Sequence, residues 1–397
     1  MWSASQTQLP IILYHYPYSP YARRIVWYLR LRGIPYMECI QPPLLPRPHL
    51  SSHLSLSYRR IPVLAVGRDV YLDTRLILRK LESLPPAFAP ASSPPLGAAD
   101  GTEARALERL LSVLTTGTDL FFRAAELLPA ELPLMRDPAF RKDREDFFKG
   151  RRPDRRVHQR QVDQDAPGGG VVGGEARAGS SSARGEEEEE KEKAAAKAEA
   201  LRAIKDAMAL LETTLLADGR EFVLGTKGPT LADIEAVWPF HWLIGLPGAL
   251  YDPEQVSREK FPRVYAWVER FQATVGAAKR RTQVRAITGE EAAGVIKGEQ
   301  QHGYYEAEAE LDHTEPLVKA YGLEKGTRVE VWPTDSGTAH RDRGRLVGIG
   351  SEEIVWETDA GARVHAPRGG FRVRPILEGN DIWENGGEDG VKERASL

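Results

Sequence analysis

The segment YHYPYSPYARR places Ser19 and Pro20 where the first helix of the chain is expected to begin. Serine followed by proline is a favoured helix start, because the hydroxyl caps a free backbone N–H and proline fits the first turn. A hydroxyl at the positive end of a helix can also donate to an anionic atom of a ligand. Ser19 is therefore either a cap alone or a cap that faces a ligand. Nearby hydroxyls that compete for the second role belong to Tyr14, Tyr16, Tyr18 and Tyr21.

A second pair with possible chemistry, Asp73-Thr74, stands at the expected start of another helix. The first N–H groups of a helix have no partner within it and can bind a carboxylate. Asp and Thr are also common helix caps, so the pair has a purely structural interpretation as well. Both interpretations stay open on these residues alone.

The elements that must position these residues lie in residues 9–86. An apolar IILY strand, a stretch with helical spacing and a second strand come first. The hairpin pattern RRIPVLAVGRDVYL and a final helix follow. This order is the thioredoxin-like plan, an α/β fold. Ile61-Pro62-Val63 then stands where a cis-proline presents backbone groups to an extended peptide.

Helical periodicity dominates the middle of the chain. We expect a Pro- and Ala-rich linker over 87–101 and an all-helical domain over 102–280. Thr230 and Asp233 form a predicted capping box at the start of one of its helices. An insert at about 151–193, with glycine clusters and five consecutive glutamates, is predicted to be disordered because it has little apolar surface to bury.

The last part of the chain changes pattern again. A helical or irregular connector is expected over 281–325. Period-two segments separated by Gly, Asp and Pro turns predict a small all-β, SH3-like barrel over 326–378. Residues 379–397 are expected to form a flexible tail.

Composition narrows the functional classes. With 54 basic and 57 acidic residues the net charge is −3, so no nucleic-acid surface is expected. The single cysteine, Cys39, excludes an intramolecular disulfide and a cysteine-rich zinc site. No apolar run approaches a membrane span, and no secretory signal is visible, so we expect a cytoplasmic protein without a membrane partner. The histidines form no HxH or HExxH motif, and no metal site is predicted.

Four segments together resemble the cytosolic glutathione transferases, and specifically a fungal type: LYHYPYSPYARRIVWYLRLRGIP, RRIPVLAVGRDVYLDTRLILRKL, GPTLADIEAVWPF and FPRVYAWVERF. The resemblance covers roughly residues 9–86 and most of 102–275. It implies a thioredoxin-like glutathione-binding domain followed by an all-helical domain. YSPYARR is similar to the active-site segment of the omega-like branch, in which a cysteine stands at the Ser19 position.

The resemblance also implies a glutathione site. Ser19 would lie near the sulfur, with Tyr18 beside the ligand. Thr74 would bind the γ-glutamyl carboxylate and Asp73 the α-ammonium group. The remaining contacts would be the cysteinyl backbone on Val63, next to a cis Ile61-Pro62 bond, and the glycyl carboxylate on Arg60.

The implied activity is attack of the glutathione thiolate on a small electrophile, with glutathione as co-substrate and no metal. Serine at position 19 cannot form the mixed disulfide that a cysteine forms, which favours conjugation over thiol exchange. Two alternatives remain: a non-catalytic binding or scaffold protein with the same fold, and a glutathione-dependent reductase or isomerase. Members of the family usually form homodimers, so the resemblance also implies a possible homodimer.

Overall fold

A computed structural model describes residues 9–148, 180–298, 303–306 and 309–376. The predicted flexible tail, 379–397, lies outside the described residues. Strands β1 to β10 are Ile11–His15, Tyr36–Ile40, Val63–Val66, Asp69–Leu72, Val284–Ala286, Arg328–Pro333, Asp342–Ile349, Glu353–Glu357, Arg363–Pro367 and Phe371–Pro375.

Helices α1 to α12 are Pro20–Leu31, Pro48–Leu54, Thr74–Glu82, Glu103–Ser112, Leu120–Glu126, Pro133–Arg136, Pro138–Phe148, Ser180–Thr213, Leu231–Ile244, Pro262–Lys279, Gly289–Ile296 and Pro316–Tyr321. A π-helical turn, Val113–Gly117, joins α4 to the segment before α5. None of the described helices has the length and apolar character that crossing a membrane requires.

The first unit has the predicted strand–helix–strand order followed by a hairpin. β1 pairs in parallel with β2 and antiparallel with β3, and β3 pairs antiparallel with β4. Every residue of β1 is buried: Ile11 and Leu13 belong to one core, while Ile12 and Tyr14 belong to a second. The thioredoxin-like prediction is confirmed, and both faces of this sheet are covered.

The helical unit packs on the first of these cores, and α9 lies at its centre. The predicted capping box is present, because the Asp233 carboxylate accepts the Thr230 N–H at 2.8 Å. The other carboxylate oxygen accepts from Trp267 Nε1 at 2.9 Å and from the Val223 N–H at 3.0 Å. One buried carboxylate therefore caps α9 and ties it to α10.

The disorder predicted for about 151–193 is wrong over its final part. Helix α8 begins at Ser180 and continues to Thr213. Lys191 pairs with Glu187 and Lys193 with Glu189 one turn earlier, and such pairs support an exposed helix. Leu201, Ile204, Met208 and Leu211, further along α8, are buried and anchor it. Residues 151–179 of the predicted insert lie outside the described residues.

The C-terminal strands extend the sheet of the first unit. The strand order is β10-β6-β7-β8-β9-β4-β3-β1-β2-β5, with β9 parallel to β4. β6 to β9 form an antiparallel meander, and β10 returns to pair with β6. The strands predicted from the period-two pattern are confirmed, whereas the SH3-like barrel stays a prediction. β9 uses its second edge to pair with β4 of the first unit.

A buried cluster of charges holds this junction together. Asp69, fully buried at the start of β4, accepts two hydrogen bonds from the Arg363 guanidinium and one from His365 Nε2 at 3.0 Å. The N–H groups of Tyr305 and Glu306 donate to the same carboxylate at 2.7 and 2.8 Å. Burial alone would raise the pKa of Asp69, but these donors outweigh it and hold the pKa at about 2.

His365 makes the junction sensitive to pH. Burial alone would lower the pKa of its imidazole, but hydrogen bonds to Asp69 and Glu353 outweigh it, so the pKa is raised. The protonated ring therefore adds stability that is complete below the unfolded-state pKa of about 6.5 and is lost as the pH rises through the folded-state pKa.

We expect His365→Gln to reduce the free energy of unfolding most at about pH 6, near the unfolded-state pKa, and less as the pH is raised. Urea unfolding of both proteins between weakly acid and alkaline pH measures this difference. His313→Gln, at an exposed position, is the matched control and should follow wild type. A wild-type advantage over His365→Gln that does not change with pH would contradict the assignment.

Candidate functional site

A cleft of about 810 Å³, including its open mouth, lies between the first unit, the helical unit and the loop after β6. Five of the seven predicted site residues line it: Ser19, Arg60, Ile61, Asp73 and Thr74. The lining does not include Tyr18, which is 46% exposed and contacts Tyr16, or Val63, which is fully buried. The structure therefore brings most of the predicted residues to one opening.

Ser19 caps α1 at the floor of this cleft. It is buried, and its Oγ accepts the Ala22 N–H at 3.2 Å. An accepted bond leaves the hydroxyl proton available to donate. Of the four competing tyrosines, only Tyr16 and Tyr21 also line the cleft. Burial raises the pKa of the Tyr21 phenol, so this hydroxyl stays protonated at neutral pH.

The Ile61-Pro62 peptide bond is cis, as the sequence predicts. Ile61 and Pro62 line the cleft, whereas Val63 is the register partner of Tyr14 on one side and Leu72 on the other. Val63 is thus placed within the sheet. The backbone that faces the cleft at this point is that of Ile61-Pro62.

Asp73 opens α3 with an unusual backbone. Its φ is 66° and its ψ 130°, a conformation that costs a non-glycine residue about 1–3 kcal/mol and is often found at functional sites. The carboxylate accepts from the Arg75 N–H at 3.0 Å and from the Arg75 guanidinium at 2.9 Å. Burial alone would raise the pKa of Asp73, but the charge of Arg75 and these bonds hold it at about 2. The carboxylate is therefore ionised at neutral pH.

The hydroxyl oxygen of Thr74, the first residue of α3, accepts a hydrogen bond from a buried arginine. The fully buried Arg24 of α1 donates one guanidinium nitrogen to Thr74 Oγ1 and another to the Glu235 carboxylate of α9. Because Oγ1 accepts this bond, the Thr74 hydroxyl proton can point into the cleft. The arrangement positions Thr74 and links the first unit to the helical unit.

The Arg60 side chain already has hydrogen-bond partners within the protein. Its guanidinium donates to the Asp335 carboxylate and, at 2.7 and 3.1 Å, to the Ser336 carbonyl oxygen. Asp73 Oδ2 lies 3.9 Å from another nitrogen of this guanidinium, Nη1. The loop between β6 and β7 therefore places a carboxylate on the side chain that the resemblance assigns to a ligand carboxylate.

The cleft is lined by both arginines and aromatic side chains. Its arginines outnumber its aspartates, with Asp73 and Asp335 facing Arg47, Arg59, Arg60, Arg75 and Arg144. Its aromatic wall consists of Tyr16, Tyr21, Tyr58, Phe121, Phe122 and Phe147. Such a surface suits an anionic ligand next to an apolar one. Thr116, in the π-helical turn after α4, also lines the cleft.

Three residues at or behind the cleft are absent from the sequence-based prediction: Arg24, Glu235 and Asp335. Arg24 lies in a helix with ordinary amphipathic spacing, and Glu235 lies among buried apolar residues of α9. A glutamate in an otherwise apolar helix is a signal of a buried partner. No pattern in the sequence around Asp335 predicts its contact with Arg60.

Comparisons with known proteins support the fold. The family model "Glutathione S-transferase, N-terminal domain" matches residues 13–91. A domain of unknown function, DUF7962, matches residues 177–280. No protein in the curated set matches the chain.

The chain is also similar to solved structures. A GST-like protein from Pseudomonas syringae is 20% identical with a TM-score of 0.55, covering 92% of this chain and 99% of that one. That coverage extends the shared fold into the C-terminal strands. The β-etherase LigF from Sphingobium sp. strain SYK-6 is 17% identical, with TM-score 0.46 and coverage of 69% and 100%. Rice GST1 in complex with glutathione is 16% identical, with TM-score 0.44 and coverage of 75% and 98%.

Arg24→Met should destabilise the protein by about 3–5 kcal/mol, because it leaves the Glu235 carboxylate buried without its partner. The double variant Arg24→Met with Glu235→Leu should recover most of this loss, since replacing both members of a buried pair by apolar residues is often neutral. Urea unfolding of the three proteins measures the difference. A double variant less stable than Arg24→Met would show that the pair does not act as a unit.

Proposed function

We propose that the protein is a glutathione transferase that activates the glutathione thiolate for attack on a small, apolar electrophile. One observation carries this proposal: the helix cap Ser19, the cis Ile61-Pro62 backbone and the N-terminus of α3 surround a single cleft. The match of residues 13–91 to the N-terminal domain of glutathione S-transferases supports it independently.

In the proposed complex the γ-glutamyl group lies at the N-terminus of α3. Its carboxylate accepts from N–H groups at the start of that helix and from the Thr74 hydroxyl, whose oxygen accepts a hydrogen bond from Arg24. The ionised Asp73 carboxylate receives the α-ammonium group. The cysteinyl backbone pairs with Ile61 beside the cis bond, in place of the Val63 contact suggested by sequence.

The sulfur then lies beside Ser19. A free thiol has a pKa near about 8.5, and a donor at the positive end of α1 stabilises the thiolate and lowers that pKa. The thiol proton is released to solvent. The thiolate attacks an electrophilic carbon held against the aromatic wall, a carbon–sulfur bond forms, and the leaving group departs with its electron pair.

A non-catalytic binding protein is the second candidate, and the Asp335–Arg60 pair favours it. In this structure the guanidinium assigned to the glycyl carboxylate already holds a carboxylate and a carbonyl oxygen. A glutathione-dependent reductase or isomerase would use the same thiolate. Turnover of a panel of substrates separates these classes.

Ser19→Gly removes the hydroxyl while costing only a few tenths of a kcal/mol at the helix cap. We expect kcat/KM for a chlorodinitrobenzene-type electrophile to fall by about 100-fold, as when one donor to a developing anion is removed. The pKa of bound glutathione, followed by thiolate absorbance, should rise. Ser52→Gly, at an exposed position, is a control for the loss of a serine hydroxyl. Unchanged turnover in Ser19→Gly would exclude Ser19 as the donor, and a wild type without turnover would favour the binding protein.

Asp335→Asn should increase the affinity for glutathione, because the glycyl carboxylate no longer competes with a charged side chain for Arg60. The gain should be about 1 kcal/mol, the upper range for a partly exposed ion pair. Calorimetric titration measures it, with Glu352→Gln, the partner of Arg79 outside this cleft, as control. Weaker binding by Asp335→Asn would show that Asp335 itself contacts the ligand.

A further inference from the structure

Two histidines and a glutamate meet on the side of the first unit where α2 packs against α11. His49 and His53 lie on α2, and Glu290 lies in the first turn of α11. Their potential ligand atoms all lie within 4.8 Å of one another. The two imidazole rings are stacked with centroids 5.9 Å apart, and His53 Nε2 is 3.8 Å from Glu290 Oε1.

The local structure fixes this arrangement. His49 and His53 are four residues apart on one helix, so their side chains share a face. An adjacent face of α2 is anchored in the second core by Leu50 and Leu54. A Cβ at position 289 would lie 1.8 Å from His49 Nδ1, so the ring packs directly on the backbone of Gly289. Glycine at this position therefore permits the close approach of α11.

The neighbouring carboxylate already has other partners. Glu291 accepts the Thr288 N–H at 2.8 Å in a capping box and pairs with Arg285 at 3.1 Å. Glu290 is the carboxylate that lies with the two histidines in the cluster. His49 Nδ1 is buried and has no hydrogen-bond partner among the residues that the structure describes. Because this nitrogen packs on the backbone of Gly289, an ion would bind the other ring nitrogen of His49, Nε2.

We propose that His49, His53 and Glu290 bind one zinc ion, with water in the fourth position. Two imidazole nitrogens and one carboxylate oxygen are a donor set that zinc accepts, at about 2.0–2.2 Å per bond. The exposed Glu290 and partly exposed His53 can close the remaining distance by changing rotamer. The ion would join α2 to α11 and so fasten the connector to the first unit. The proposal does not depend on the glutathione site.

Zinc binding by the full-length protein, purified without a histidine tag and stripped with a chelator, tests the proposal. Competition with a chromophoric chelator gives the affinity and stoichiometry, and cobalt(II) as a spectroscopic substitute reports coordination by nitrogen and oxygen. His53→Gln and Glu290→Gln change partly or fully exposed side chains and leave the core intact. His313→Gln, at an exposed position away from the cluster, is the matched control.

We expect one zinc ion per chain in wild type and in His313→Gln. Each of the variants His53→Gln and Glu290→Gln should bind zinc more than about 10-fold more weakly, since loss of even an outer-sphere partner costs about 10–100-fold. Zinc should also raise the melting temperature of wild type but not of these two variants. A wild type that binds no zinc, or wild-type affinity in either variant, would overturn the proposal.

Discussion

The Asp69 carboxylate, fully buried where β4 meets β9, is the group on which the arrangement of the whole chain depends. A buried carboxylate is tolerated only when donors surround it, because its desolvation is otherwise very costly. Arg363, His365 and the N–H groups of Tyr305 and Glu306 all come from the C-terminal part of the chain. The hydrogen bonds of this buried carboxylate therefore come from the C-terminal segment, and β9 continues the sheet of the first unit.

This junction determines what surrounds the candidate site. With β9 fixed against β4, the loop after β6 reaches the cleft and places Asp335 on Arg60. Glu235 of the helical unit accepts a hydrogen bond from Arg24, which also donates to Thr74 at the edge of the cleft. The first unit places Ser19 and Thr74 in the lining of the cleft. The cleft is thus lined by three parts of the chain: the first unit, the helical unit and the loop after β6. A ligand carboxylate that bound Arg60 would compete with the chain's own carboxylate, Asp335.

Features encoded by neighbouring residues could be predicted from the sequence. The Ser19 cap, the cis Ile61-Pro62 bond and the Thr230–Asp233 capping box depend on residues a few positions apart, and all three are present. Contacts between distant residues could not be predicted from the sequence. The Arg24–Glu235 and Arg60–Asp335 pairs are two examples. The helix over 180–193 was missed because its stability comes from later residues of α8. The four-residue spacing of His49 and His53 was a visible signal that a search for HxH and HExxH overlooks.

A crystal structure determined at saturating glutathione tests the central claim most directly. The account predicts the tripeptide along Ile61-Pro62, with its γ-glutamyl carboxylate at the N-terminus of α3, its sulfur beside Ser19 and Asp335 displaced from Arg60. An unoccupied cleft under these conditions, with Asp335 still on Arg60, would contradict it. The sheet that joins the C-terminal strands to the first unit would be unaffected by that result.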